Sequence, residues 1–129
     1  MNTKKLEALN RGVVAENFVA EKLLELGWKI RCRNYRIKAG EIDLIAADQD
    51  CLAFVEVRSR DESTLIHPLE SILFSKQKRI VFAARYYMQR QKDLPHFREI
   101  RFDVASVFFG KNLELEYYKA AFLPGEWRF

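Results

Sequence analysis

Two strand-like runs, at about 41–47 and 52–59, are separated only by Asp48-Gln49-Asp50-Cys51, and they constrain this chain more than any other feature. A tight turn over Gln49 and Asp50 makes them a β-hairpin. Asp48 then faces Cys51, Asp43 faces Glu56, and Glu41 faces Arg58. Side chains alternate along strands. One hairpin face therefore carries Glu41, Asp43, Ile45, Leu52, Phe54, Glu56 and Arg58. The other carries Ile42, Leu44, Ala46, Ala53, Val55 and Val57, all apolar.

The apolar face is core. The mixed face is apolar near the turn and charged away from it. Two carboxylates directly opposite each other destabilise a sheet, and apolar neighbours raise the cost of ionising them. A hard divalent cation removes that cost, because carboxylates are its preferred ligands. Asp43 and Glu56 are therefore candidate ligands for Mg2+ or Mn2+. The alternative is a plain salt bridge between Glu41 and Arg58 with Asp43 and Glu56 at a solvated sheet end, and a one-residue slip of the turn would also move Asp43 to the other face. Glu16 falls within the apolar stripe of the first helix. It is either a stripe-edge residue reaching water or a third carboxylate aimed at the hairpin.

The remaining chain reads as one domain over residues 1–129. A helix at about 4–26 has the stripe Leu6, Leu9, Val13, Ala20, Leu23 and Leu24 and is closed by Gly27. A strand at about 28–34 puts Trp28, Ile30 and Cys32 on one face, and a basic loop runs from Asn34 to Gly40. After the hairpin, Arg60 to Pro68 is a polar loop. A second helix spans about 69–91, with Leu69, Ile72, Leu73, Ile80, Ala84, Tyr87 and Met88 inward. Strands at about 99–109 and 113–121 follow. The order α-β-β-β-α-β-β argues for an α/β fold, a mixed sheet with helices against its faces.

Charge narrows the function classes. The net charge is +4, and 11 of the 22 basic residues lie in two acid-free segments. One holds Lys29, Arg31, Arg33, Arg36 and Lys38; the other includes Lys76, Lys78 and Arg79. Such segments suit a phosphate backbone, or else a solvated face. Cys32 and Cys51 make no disulfide framework, no apolar run reaches membrane-span length, and the N-terminus lacks a signal-peptide core, so the expected compartment is the cytoplasm. His67 and His96 read as surface residues, and Arg101 and Asp103 as a half-exposed strand without chemistry. Trp127, Tyr117 and Tyr118 read as packing residues.

The segments Gly40-Glu41-Ile42-Asp43-Leu44-Ile45-Ala46 and Phe54-Val55-Glu56-Val57-Arg58-Ser59-Arg60 resemble the signature of the YraN-like family. This bacterial family is described as distantly related to Holliday-junction resolvases. Weaker matches extend through Gly12, Glu16, Ala20, Leu24 and Gly27, and downstream through Lys76, Ala84, Tyr87 and Arg101-Phe102-Asp103-Val104. The resemblance implies a restriction-endonuclease-like fold with a PD-(D/E)xK-type site. Asp43 then looks like the site's aspartate, Glu56 like its second acid, and Glu16 like the helix-one glutamate of the resolvases. Arg58 stands where those nucleases place lysine. Arginine stays protonated and cannot act as a base, although it can hold a phosphate bidentately.

The expectation is a Mg2+- or Mn2+-dependent endonuclease attacking DNA phosphodiesters, with branched or repair and recombination intermediates as candidate substrates. Asp43 and Glu56 bind metal with a main-chain carbonyl near Val57, Glu16 is an outer ligand, Glu41 orients Arg58, and Arg58 contacts the phosphate. Arg31, Arg33, Arg36, Lys38, Arg60, Lys76, Lys78 and Arg79 are the expected nucleic-acid contacts. Resolvases act as dimers, so the resemblance also raises a homodimer. Two alternatives are a non-catalytic nucleic-acid-binding module of the same fold, and a partner-binding protein with no metal site.

Overall fold

The structure, a computed structural model, describes residues 3–70 and 72–124, with side chains from Asn10 onward. Helix α1 (Thr3–Glu25) leads into strands β1 (Lys29–Ile37), β2 (Gly40–Asp48) and β3 (Cys51–Arg60). Helix α2 (Phe74–Met88), a 3-10 turn at Leu94–His96, and strands β4 (Glu99–Phe109) and β5 (Leu113–Tyr118) complete the chain. The strands form one five-stranded sheet in sequence order. The β3–β4 pair is parallel and the other pairs are antiparallel. A parallel pair needs a crossover, and α2 supplies it. The mixed sheet flanked by helices agrees with the expectation.

The hairpin register is the expected one. Asp48 pairs with Cys51, Ala46 with Ala53 and Leu44 with Val55, and Gln49 takes a positive φ of 53° in the turn. The ladder stops at Leu44↔Val55. Asp43 and Glu56 lie one step past its end.

Each sheet face packs on one helix. Ala15, Val19, Ala20 and Leu23 of α1 bury against Leu44, Ala46, Ala53, Val55, Ala105 and Val107. Ile80, Val81, Ala84, Tyr87 and Met88 of α2 bury against Ile42, Ile45, Leu52, Phe54 and Phe102. Two expected faces are corrected here. Ile42 joins Ile45 and Phe54, not Leu44, because the β1–β2 ribbon changes parity beside Asn34, whose φ is 51°. Cys32 leaves the face of Trp28 and Ile30 because the register shifts between Ile30 and Cys32.

Helix α1 ends as expected. Gly27, at φ 94°, lets Trp28 N–H reach the Leu23 carbonyl and Gly27 N–H the Leu24 carbonyl. Its buried stripe is rotated from the expected one. Val13 and Leu24 are exposed while Ala15 and Val19 are buried; Leu6 and Leu9 lie outside the described side chains. Helix α2 begins five residues later than expected. Residues 69–70 and 72 form turns, with Glu70 N–H on the His67 carbonyl and Ile72 N–H on the Leu69 carbonyl, and Leu73 is exposed. The basic segment 34–37 is strand rather than loop, and β5 stops at Tyr118.

Gly40 fixes how closely α2 approaches β2. A Cβ there would lie 2.0 Å from the Arg79 carbonyl oxygen, so a side chain would push the helix away. That close packing brings Lys76, one helical turn earlier on α2, to the end of the hairpin ladder. Among the described residues, no helix is long and apolar enough to cross a membrane.

Candidate active site

Past Leu44 the β2 backbone leaves β3, and the Asp43 side chain fills the gap. Its Oδ2 accepts the Val57 N–H at 2.8 Å. Glu56, on β3, is 5% exposed, and it lines one cavity together with Asp43. Asp43 is pushed up to about 7, first by burial and then by the charge of Glu56, against the pull of Val57 N–H and Lys76.

Two cations answer this pair. Lys76 Nζ lies 2.7 Å from Glu56 Oε1, and Arg58 Nη1 lies 3.7 Å from the same oxygen. Asp43, Glu56, Val57, Arg58, Ser59 and Lys76 line an open cavity of about 290 Å3. Glu16 approaches from α1. Its pKa is raised by burial and by the charge of Asp43, and lowered by Asn34, Arg33 and Arg36. Among the described residues, no three His, Cys, Asp or Glu side chains gather at metal-holding distance, so Glu16 stands outside the Asp43–Glu56 pair.

One expected contact is replaced. Glu41 pairs with Arg36, its neighbour across β1, at 3.2 Å, and not with Arg58. The departure of β2 from β3 separates Glu41 from Arg58. Glu41 instead joins Ser75, Lys76, Arg79 and Ile80 around a second cavity of about 350 Å3, which shares Lys76 with the first.

The basic residues divide. Arg33 and Arg36 reach the neighbourhood of Glu16, Arg33 through a 2.7 Å bond to Asn17. Lys38 and Arg79 are exposed near the same end of the sheet, and Lys78 lies over the Phe82 ring. Arg31 is at the opposite end, where it donates to Tyr87, Gln91 and Asp93. Arg60 donates to Glu116 at 2.6 Å. Lys76 has a role the sequence reading missed: it was assigned to a phosphate-binding helix face, yet it sits on Glu56. The signal was Gly40, which permits the close crossing of α2.

Asp103 corrects a second expectation. It is fully buried, not half-exposed, and accepts bonds from Arg101, Tyr117 and Ala120. His67 and His96 are exposed, and both cysteines are free, as expected. Trp127 lies outside the described residues.

Residues 15–107 match the profile of the uncharacterised protein family UPF0102, in agreement with the hairpin's YraN-like resemblance. The chain is 40% identical over 125 residues to a UPF0102 protein of Dictyoglomus turgidum, covering 95% of this chain and all of that protein. It is 42% identical to one from Psychromonas ingrahamii, covering 79% of this chain and 82% of the other. With one from Clostridium perfringens it shares 38% identity, over 86% of this chain and 92% of the other.

Proposed function

This chain belongs to the UPF0102 family, and from that premise we propose that it is a divalent-metal-dependent endonuclease of restriction-endonuclease-like fold acting on DNA. The observation that carries the reading is the Asp43–Glu56 pair: two carboxyl groups at the broken end of a ladder, lining one cavity with Lys76 and Arg58.

The donor set fits a hard cation. Asp43, Glu56 and the Val57 carbonyl would hold Mg2+ or Mn2+, and Glu16 is near enough to Asp43 to feel its charge. Lys76 already places a positive charge on Glu56 at 2.7 Å, which marks the spot as one that attracts cations. When bound, the metal supplies Lewis acidity and an acidified water.

The chain's own residues do the rest. Arg58 presents its guanidinium to the same cavity and holds the scissile phosphate. Lys76 stands where the motif's absent lysine is needed: it comes from α2 rather than β3, yet its ammonium reaches the second acid. It orients the incoming water and offsets charge on the phosphorane-like transition state. Water adds to phosphorus as the bond to the leaving sugar oxygen breaks, and that oxygen takes up a proton. Arg33, Arg36, Lys38, Lys78 and Arg79 contact flanking phosphates.

The test is cleavage of single-stranded, duplex and branched DNA with Mn2+ or Mg2+. The reading expects cleavage that is lost in EDTA and in Asp43→Ala. Cleavage that persists in both, or wild type inert on every substrate, would overturn it.

A further inference from the structure

Lys76 lines two cavities. One is the carboxylate cavity, where its ammonium lies 2.7 Å from Glu56 Oε1. The other is the adjoining cavity of about 350 Å3, which it lines with Glu41, Ser75, Arg79 and Ile80. The Lys76 side chain is 39% exposed, whereas that of Glu56 is 5% exposed. Of these two partners the lysine is the one free to move. Its ammonium rides on a flexible four-carbon stem, while the Glu56 carboxylate is fixed inside the protein.

With both acids ionised, the charges of Asp43 and Glu56 are matched by those of Lys76 and Arg58. While the ammonium sits on Glu56, the oxygen that a hard cation needs is taken. Glu56 cannot give that oxygen to an ammonium and to a metal ion together, because two cations repel strongly where water is scarce. Lys76 therefore blocks the carboxylate pair against metal.

The second cavity can draw the ammonium away. Lys76 and Arg79 are three residues apart on α2 and lie on one helix face. Arg79 is exposed and makes no ion pair among the described residues. Glu41, the acid in the lining, is held by Arg36 at 3.2 Å, so its charge is answered. Ser75 adds a hydroxyl. Two cations and a hydroxyl beside a neutralised carboxylate suit a phosphate group.

We propose that this second cavity is a phosphate subsite coupled to the carboxylates through Lys76: a phosphodiester seated between Lys76 and Arg79 draws the ammonium off Glu56 and opens the pair to a divalent cation. The inference rests on the metal-dependent nuclease reading and adds its regulation. Metal and DNA then bind cooperatively, each tightening the other by the same factor. Without a strand across the site, the protein holds metal weakly.

The test is calorimetric titration of Mn2+ into wild type, Lys76→Met, Arg79→Gln and Lys29→Met. Each is measured in sodium sulfate and in sodium chloride of equal ionic strength. Sulfate is the probe for the phosphate group and forms a soluble manganese salt. It should tighten Mn2+ binding by wild type about fivefold, the low end of coupling between sites. In chloride, Lys76→Met should bind Mn2+ about fivefold more tightly than wild type, the scale of one half-exposed ion pair. Sulfate should add nothing to it. Arg79→Gln should keep the wild-type affinity in chloride and lose most of the sulfate effect. Lys29→Met removes a positive charge at the far end of β1 from Glu41 and should match wild type.

The proposal is overturned if Lys76→Met binds Mn2+ no more tightly than wild type or Lys29→Met, or if sulfate tightens wild type and Lys76→Met alike. Mn2+-dependent DNA cleavage by wild type would then leave the nuclease reading standing. The expected sulfate coupling without cleavage of any DNA would uphold the coupled subsite and sink the nuclease reading. No Mn2+ uptake by any of the four proteins would overturn both.

Discussion

Strand β3 has an aspartate on each neighbouring strand, Asp43 on β2 and Asp103 on β4, and the two are treated in opposite ways. Asp103 accepts from Arg101 Nε at 3.2 Å and Nη2 at 2.9 Å, from the Tyr117 hydroxyl at 2.7 Å, and from Ala120 N–H at 2.9 Å. Burial, then the Asp103 charge, raises the Tyr117 pKa, which keeps that hydroxyl a donor. Asp43 has one backbone donor and a second carboxyl group against it. Asp103 is fully buried and Asp43 partly so, and only Asp103 is given a full set of donors. A carboxylate surrounded by donors fastens a fold. One beside a second carboxylate and an open cavity has acceptor capacity left over, and the proposed reading assigns that capacity to a metal ion.

The largest expected effect breaks the satisfied member. Asp103→Ala should lower stability by about 3–5 kcal/mol in urea unfolding, because Arg101 and Tyr117 lose their shared partner inside the protein. A loss under about 1 kcal/mol would mean that the network contributes little.

The second acts on the unsatisfied member. Mn2+ at a hundredfold excess over its dissociation constant should stabilise wild type by about 2.7 kcal/mol. Asp43→Asn should remove that gain and Asp103→Asn should keep it, as read by thermal unfolding with and without metal.

The third uses pH. Without metal, Asp43→Asn should raise stability by roughly 2 kcal/mol at pH 8, since the amide still accepts the Val57 N–H and no longer repels Glu56. The sign follows from the raised pKa of Asp43, about 7 against 3.8 unfolded. Wild type is unpenalised below pH 3.8 and loses stability as pH rises through 7, so the advantage of the variant should vanish near pH 4. Asp103→Asn should show no gain at any pH. A pH-independent Asp43→Asn effect would contradict the account.

The smallest concerns Lys76. Its side chain is more than one-third exposed, so Lys76→Met should cost only about 1 kcal/mol without metal. Mn2+ should restore the loss, since a bound cation replaces the ammonium on Glu56. A deficit unchanged by Mn2+ would separate Lys76 from the site.

The contrast between the two aspartates was half legible in the sequence. Period-two alternation and the Gln49-Asp50 turn gave the hairpin register, and with it the proximity of Asp43 and Glu56. The pairing of Glu41 with Arg58 failed, because it assumed a ladder that continues past Leu44, whereas the strands part there and Arg36 takes Glu41. Asp103 read as half-exposed because Arg101, Asp103 and Phe102 alternate as they would on an amphipathic edge. Its partners Tyr117 and Ala120 come from beyond the next turn, which no local pattern reveals. Lys76 was visible only as one base among several. Its reach to Glu56 depends on a helix crossing set by the missing side chain of Gly40.

Calorimetric titration of Mn2+ into the wild-type protein and Asp43→Asn, at pH 8, tests the central claim most directly. The account predicts a saturable site in wild type that disappears in Asp43→Asn. No heat with wild type, or equal binding by both proteins, would contradict it.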